Sequence, residues 1–118
     1  MTFEQKTLCP PEHEYSEHSF PHNTLSIDDD ERVRGSVITD TFGYQGEIVY
    51  VEGRVQSAGG DPAHDSTARY AVVINVVRED GTIVLQDVPH IVDHPTTAIE
   101  NCYDSVQNTY ELYNTNYL

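Results

Sequence analysis

Two runs of alternating β-branched residues constrain this chain more than anything else in it. GEIVYVEGRVQS, residues 46–57, sets Val49, Val51 and Val55 against Tyr50, Glu52 and Arg54. ARYAVVINVV, residues 68–77, sets Tyr70, Val72, Ile74 and Val76 against Ala71, Val73 and Asn75. A period of two in Val, Ile and Tyr is the mark of a half-buried strand. GTIVLQDV and PHIVD continue the pattern, and Asp80-Gly81 marks a hairpin turn because glycine accepts the positive φ such a turn needs. Upstream, RVRGSVITDTF carries Val33, Val37, Thr39 and Thr41 on one alternate face, and Gly43 and Gly46 bracket a further turn. SAGGDPAHDST, residues 57–67, reads as a longer loop. Short strands at this spacing predict an antiparallel sandwich or barrel. Its expected core is Val49, Val51, Val55, Val72, Ile74, Val76, Ile83 and Leu85.

The two ends follow other rules. From residue 96 the period changes: Ile99, Tyr103, Val106, Tyr110, Tyr113 and Tyr117 recur every three or four positions, which is a helical stripe. Thr97-Ala98-Ile99-Glu100, just after Pro95, has the form of a capping box. Asn101, Asn108, Thr109, Asn114 and Asn116 are poor helix formers, so the helix is expected to run to about Tyr113. At the front, Pro10, Pro11 and Pro21 interrupt regular structure, and the segment closes in Asp28-Asp29-Asp30-Glu31. The expected division is an extended arm over 1–31, a β domain over 32–95 and a helix or tail over 96–118. Ordering an arm costs about 1–2 kcal/mol per residue in backbone entropy. Its scattered aromatics, Phe3, Tyr15 and Phe20, therefore read as anchors for grooves on neighbouring subunits. Tyr103, Tyr110, Tyr113 and Tyr117 give the other end an adhesive face, tyrosine being enriched at interfaces. The alternative, that this helix simply covers its own domain, stays open at this point.

Charge narrows the function classes. Twenty acidic residues face six basic ones, for a net charge of −14, and Lys6 is the single lysine. Repulsion of that size disfavours a compact state in dilute buffer, and molar salt, with a Debye length of about 3 Å, screens it. Abundant carboxylates spread along the chain with almost no lysine resemble haloarchaeal proteins; an ordinary acidic protein or a DNA mimic is the alternative. No basic window suits a phosphate backbone, so nucleic acid is not an expected ligand. No run of eighteen apolar residues is present to span a membrane. MTFEQKTLCPP lacks the apolar core of a signal peptide, which points to synthesis in the cytoplasm. Cys9 and Cys102 allow one disulfide but no framework.

Candidate chemistry is sparse. Cys9, His13, His18 and His22 are spaced C-x₃-H-x₄-H-x₃-H, and zinc accepts such ligands. Structural sites bring them as two tight pairs, however, so the expectation is a polar arm without a structural metal. His90 and His94 are four apart, but Pro89 and Pro95 oppose a helix that would align them, and in a strand they lie about 13 Å apart. The Asp28–Glu31 run offers oxygen ligands without the spacing of a preorganised calcium loop. No nucleophile motif, phosphate loop or H-E-x-x-H is present, so neither catalytic residues nor a cofactor are expected.

EGRVQSAGG followed by ARYAVVINVVREDGTIV resembles the Ig-like domains of the FxLYD and CARDB type. Gly53, Val55, Gly59, Asp80 and Gly81 carry the resemblance. Ser57 stands where the family prefers asparagine, and Arg78-Glu79 replaces its aromatic-aspartate step. The likeness covers about half of the chain. It implies a non-catalytic binding or spacer module, and no functional residues carry over. The resulting expectation is a mainly β protein, an Ig-like antiparallel β-sandwich with an N-terminal arm and a short C-terminal helix or tail. Its expected role is structural: a virion component such as a capsid decoration, turret or head–tail connector subunit of a haloarchaeal tailed virus, bound to neighbouring protein subunits. A cytoplasmic metal- or ligand-binding module using the arm histidines, or an Ig-like domain of a cell-surface complex, are the alternatives.

Overall fold

The structure, a computed structural model, describes residues 20–58 and 69–114. The elements, in chain order, are β1 (His22–Asn23), β2 (Ser26–Ile27), β3 (Val33–Arg34), β4 (Val37–Ile38), β5 (Phe42–Tyr44), β6 (Glu47–Ala58), β7 (Arg69–Arg78), β8 (Ile83–Val92) and α1 (Pro95–Asn114). The fold is mainly β and antiparallel, with one C-terminal helix among the described residues. A six-stranded sheet has the order β1-β4-β6-β7-β8, and β5 also pairs with β6; β2 and β3 form a separate two-stranded ribbon.

The long strands follow from the two alternating runs, which pair residue for residue from Val49↔Arg78 to Ala58↔Arg69. Turn chemistry sets the registers. Gln45 and Gly46 both have positive φ, 52° and 81°, which a two-residue turn between Tyr44 and its partner Glu47 requires. At the next hairpin the Arg78 amide donates to the Thr82 carbonyl at 2.8 Å, and the Gly81 amide to the Arg78 carbonyl at 2.9 Å. Gly81, at φ 93°, closes this three-residue loop. RVRGSVITDTF does not form one strand. Gly35, at φ 88°, turns the chain, so Val33 pairs with Ile27 in the ribbon while Val37 pairs with Gly53 in the main sheet. Beyond it Thr39 is buried, Thr41 is exposed, and Phe42 takes the interior place.

One face of the sheet is the core. Val37, Val49, Val51, Val55, Tyr70, Val72, Ile74 and Val76 pack there against Ala98, Cys102 and Val106 of α1. Six of the eight expected core residues lie in it. Ile83 and Leu85 do not: they are 48% and 37% exposed. The reason lies in β8, whose pairing with β7 is irregular between Val76 and Val77 and again between Val72 and Ile74. The first irregularity places Ile83 opposite Val77, on the face away from α1, and leaves Leu85 opposite Val76 at the sheet edge. GTIVLQDV and PHIVD, two strands by sequence, are one strand that runs through Pro89.

The helix begins earlier than the capping box implies. The Ala98 amide donates to the His94 carbonyl at 3.0 Å, which puts Pro95 at the first helical position. Proline suits that place because its missing N–H has no helical partner to lose. Its buried stripe is also shifted, to Ala98, Cys102, Ser105 and Val106. These small side chains let α1 approach the sheet where Gly53 offers no Cβ; a Cβ there would overlap Cγ2 of Val106 and stand 2.8 Å from Sγ of Cys102. The N-terminal boundary moves as well. Residues 20–31, part of the arm by sequence, belong to the domain: Phe20 is in the core, His22 pairs with Ile38, and Ile27 with Val33.

Candidate interaction surface

The aromatics singled out in the sequence turn inward where the structure describes them. Phe20 is buried and stacks on Tyr103, with ring centroids 5.8 Å apart. The Asn23 side-chain amide donates to the Tyr103 hydroxyl at 2.9 Å. Tyr110 meets Phe42 edge-on at 5.3 Å, and Tyr113 meets Tyr44 in the same way at 5.2 Å. The tyrosine stripe thus clamps α1 to β5 and to the segment leading into β1. Phe3, Tyr15 and Tyr117 lie outside the described residues.

The polar candidates have local roles. Asp28 Oδ1 accepts the amides of Asp30 at 2.9 Å and Arg32 at 3.0 Å, and Oδ2 accepts Arg34 Nε at 2.7 Å. The hydrogen bond from Arg34, helped by the backbone amide of Arg32, holds the Asp28 carboxyl below its usual range. This carboxylate staples the β2–β3 ribbon at the solvent-accessible surface. His90 is in β8 and His94 precedes α1, so no single element aligns them. Among the described residues no three His, Cys, Asp or Glu side chains converge as a metal ion requires. Cys9, His13 and His18 lie outside those residues. Cys102 is a free, buried thiol whose pKa is pushed up to about 12, by burial first and by Glu52 second. No helix among the described residues is long and apolar enough to cross a membrane.

The feature that sequence reasoning missed is the other face of the sheet. Alternation puts Ile48, Tyr50, Glu52 and Arg54 of β6 there, with Val73, Asn75 and Val77 of β7 beside them. Their β8 neighbours are Gln86, opposite Asn75, and Ile83, opposite Val77; Ile91 lies opposite Ala71. Ile48, Ile83 and Ile91 are 48%, 48% and 62% exposed on this face. A short polar seam crosses the middle. The Gln86 side-chain amide donates to Asn75 Oδ1 at 2.8 Å, and Asn75 Nδ2 donates to Glu52 Oε1 at 3.2 Å. Arg54 completes it, 3.5 Å from the same Glu52 oxygen. Asn75 is 1% exposed, so its amide is satisfied within the sheet and asks nothing of a ligand. Val73 and Val77, 5% and 4% exposed, are buried at the centre with Asn75, so what this face leaves exposed is the aliphatic side chains around them. Such a surface is suited to binding a protein and short of the converging acids, bases or nucleophiles of a catalytic site.

No family model, curated protein or solved structure matches this chain. The functional reading therefore rests on the surface itself. A signal for it was present in AVVINVV, where Val73 and Val77 make the outward positions as apolar as the inward ones. A strand solvated on one face shows a cleaner alternation.

A concavity lies between β8 and the last turns of α1. It has a volume of about 270 Å³ and is lined by Leu85, Asp87, Thr109, Leu112 and Tyr113 among others.

Proposed function

We propose that this chain is a non-enzymatic assembly protein whose outer sheet face binds a neighbouring subunit. The observation that carries the reading is that face: three isoleucines, Ile48, Ile83 and Ile91, stand half exposed or more on a small acidic domain. The polar seam divides them into one patch at Ile48 and Ile83 and another at Ile91, and exposed apolar patches of this kind mark interaction sites more often than they are left open to water. The proposed setting is the particle of a haloarchaeal tailed virus, as a decoration, turret or head–tail connector subunit. The acidic, lysine-poor composition supports the halophilic part of the reading. The finer architectural reading is an Ig-like sandwich, supported by the antiparallel order and the Asp80-Gly81 turn; α1, lying where a sandwich has its second sheet, is the departure from it.

Co-purification with the particle tests the role. The chain carrying Ile91→Asp should fold, as followed by circular dichroism, and be lost from particles assembled in its presence. A chain lacking residues 1–19 keeps every described element and tests the arm separately; a cut at residue 27 removes Phe20, β1 and β2 as well. Normal incorporation of the Ile91→Asp chain contradicts the reading.

A further inference from the structure

We infer that the open sheet face is a self-association surface, and that its occupant is the same face of a second copy of this chain. The inference rests on the assembly reading above and names the partner. Three observations support it.

The first is charge. The whole chain has 20 acidic and 6 basic residues. The open face departs from that balance. Its strands bring Glu52 and Arg54 to the middle, and Arg69 pairs with Asp93 at 3.8 Å at one end. Among the described residues these charges stand as two ion pairs that cancel within the face, on a strongly anionic molecule. Two such faces meet without net repulsion, whereas any contact through the acidic remainder of the surface brings like charges together, at a cost of several kcal/mol for juxtaposed pairs.

The second is size and shape. β7 and β8 have ten residues each and β6 twelve. At about 3.3 Å per residue and about 4.8 Å between strands, with β4 or β5 beside β6, the face has a flat footprint of roughly 600 Å². Its centre, Val73, Asn75 and Val77, is already buried, so a partner covers chiefly the β6 and β8 side chains around it; that is less than the roughly 800 Å² per partner of a standard stable interface and fits a reversible dimer. Sheets stack face to face about 10 Å apart with interdigitated side chains. The two-sheet sandwich expected within one chain would thus arise between two.

The third is the edge. β8 ends the sheet and is the natural place for strand-to-strand pairing. It is blunted: its pairing has two irregularities, it contains Pro89, and its Val88 amide donates to Asp87 Oδ1 at 2.9 Å. Bulges and proline are the devices by which edges avoid pairing. Association is therefore directed to the face.

Sedimentation equilibrium of the full-length chain in molar salt tests this, with the net charge screened. The wild type should reversibly dimerise. Ile83→Asp and Ile91→Asp should each raise the dimer dissociation constant by about a hundredfold. Asn108→Asp, which adds the same charge on the exposed side of α1, should leave it unchanged; circular dichroism of all three confirms folding. A wild type that stays monomeric at every concentration overturns the inference, as do variants at both isoleucines that still dimerise. A monomeric wild type whose Ile91→Asp variant is nonetheless lost from particles overturns self-association and leaves the assembly role standing.

Discussion

A Cβ on Gly53 would overlap Cγ2 of Val106 and lie 2.8 Å from Sγ of Cys102, both in the buried stripe of α1. Alanine is ordinarily the better residue in a strand, glycine carrying a penalty of roughly 0.5–1 kcal/mol. Here the sign reverses. Gly53→Ala should destabilise the domain by about 1–3 kcal/mol, the usual cost of overpacking. Gly43→Ala, where a Cβ meets nothing within 4 Å, should be neutral or better. Urea unfolding of the two variants checks the contrast. Asp28 sets a pH dependence. Its folded pKa is lowered, chiefly by the Arg34 hydrogen bond. The stability it contributes is therefore present above its unfolded pKa of about 3.9 and is lost as pH falls through the folded value. The stability difference between wild type and Asp28→Asn should be fully expressed at neutral pH and shrink as the pH is lowered below about 4. A difference that stays constant down to acid unfolding would show that the carboxylate does not staple the ribbon.

At the scale of elements, α1 holds the molecule together through three aromatic pairs that the tyrosine spacing does not reveal. Phe42 and Tyr110, in T-shaped contact, offer the cleanest measurement. A double-mutant cycle with Ala at both positions should give a coupling of about 0.5–1.5 kcal/mol; a coupling near zero would mean that the helix is positioned by its small-residue stripe alone. Much of this layer was legible in the sequence. Period two and the β-branched residues give β6 and β7, Asp80-Gly81 gives the turn into β8, and the 3–4 spacing gives α1. The errors share a physical cause: each depends on where a distant segment lies. The phase of Ile83 turns on an irregularity in pairing with β7. The helix stripe is centred on Cys102 and Val106 because Gly53 faces them across the core. Phe20 reads as an anchor for a neighbouring subunit until Tyr103, far along the chain, is placed against it. The candidate surface was half legible: Val73 and Val77 mark an apolar outer face, whereas Ile83 and Ile91 join it only once the register of β8 is known.

For the whole molecule, two forces oppose each other: a net charge of −14 that favours expansion, and an apolar sheet face that favours association. Salt acts on the first. Unfolding followed by circular dichroism should show stability rising from about 0.1 M salt, where screening reaches about 10 Å, to molar salt. Equal stability at both ends would sink the halophilic reading. On the sheet face Glu52 is paired with Arg54 and Arg69 with Asp93, so screening the remaining charge should promote folding and association together. Hydroxyl-radical footprinting of the wild-type chain in molar salt, across a dilution series, tests the central claim most directly. The account predicts that oxidation of Ile83 and Ile91 is high in dilute protein and falls as concentration rises, while Leu112, on the helix side and 63% exposed, stays equally reactive throughout. Protection of Leu112 with no change at Ile83 and Ile91 would place the contact on the opposite layer and contradict it.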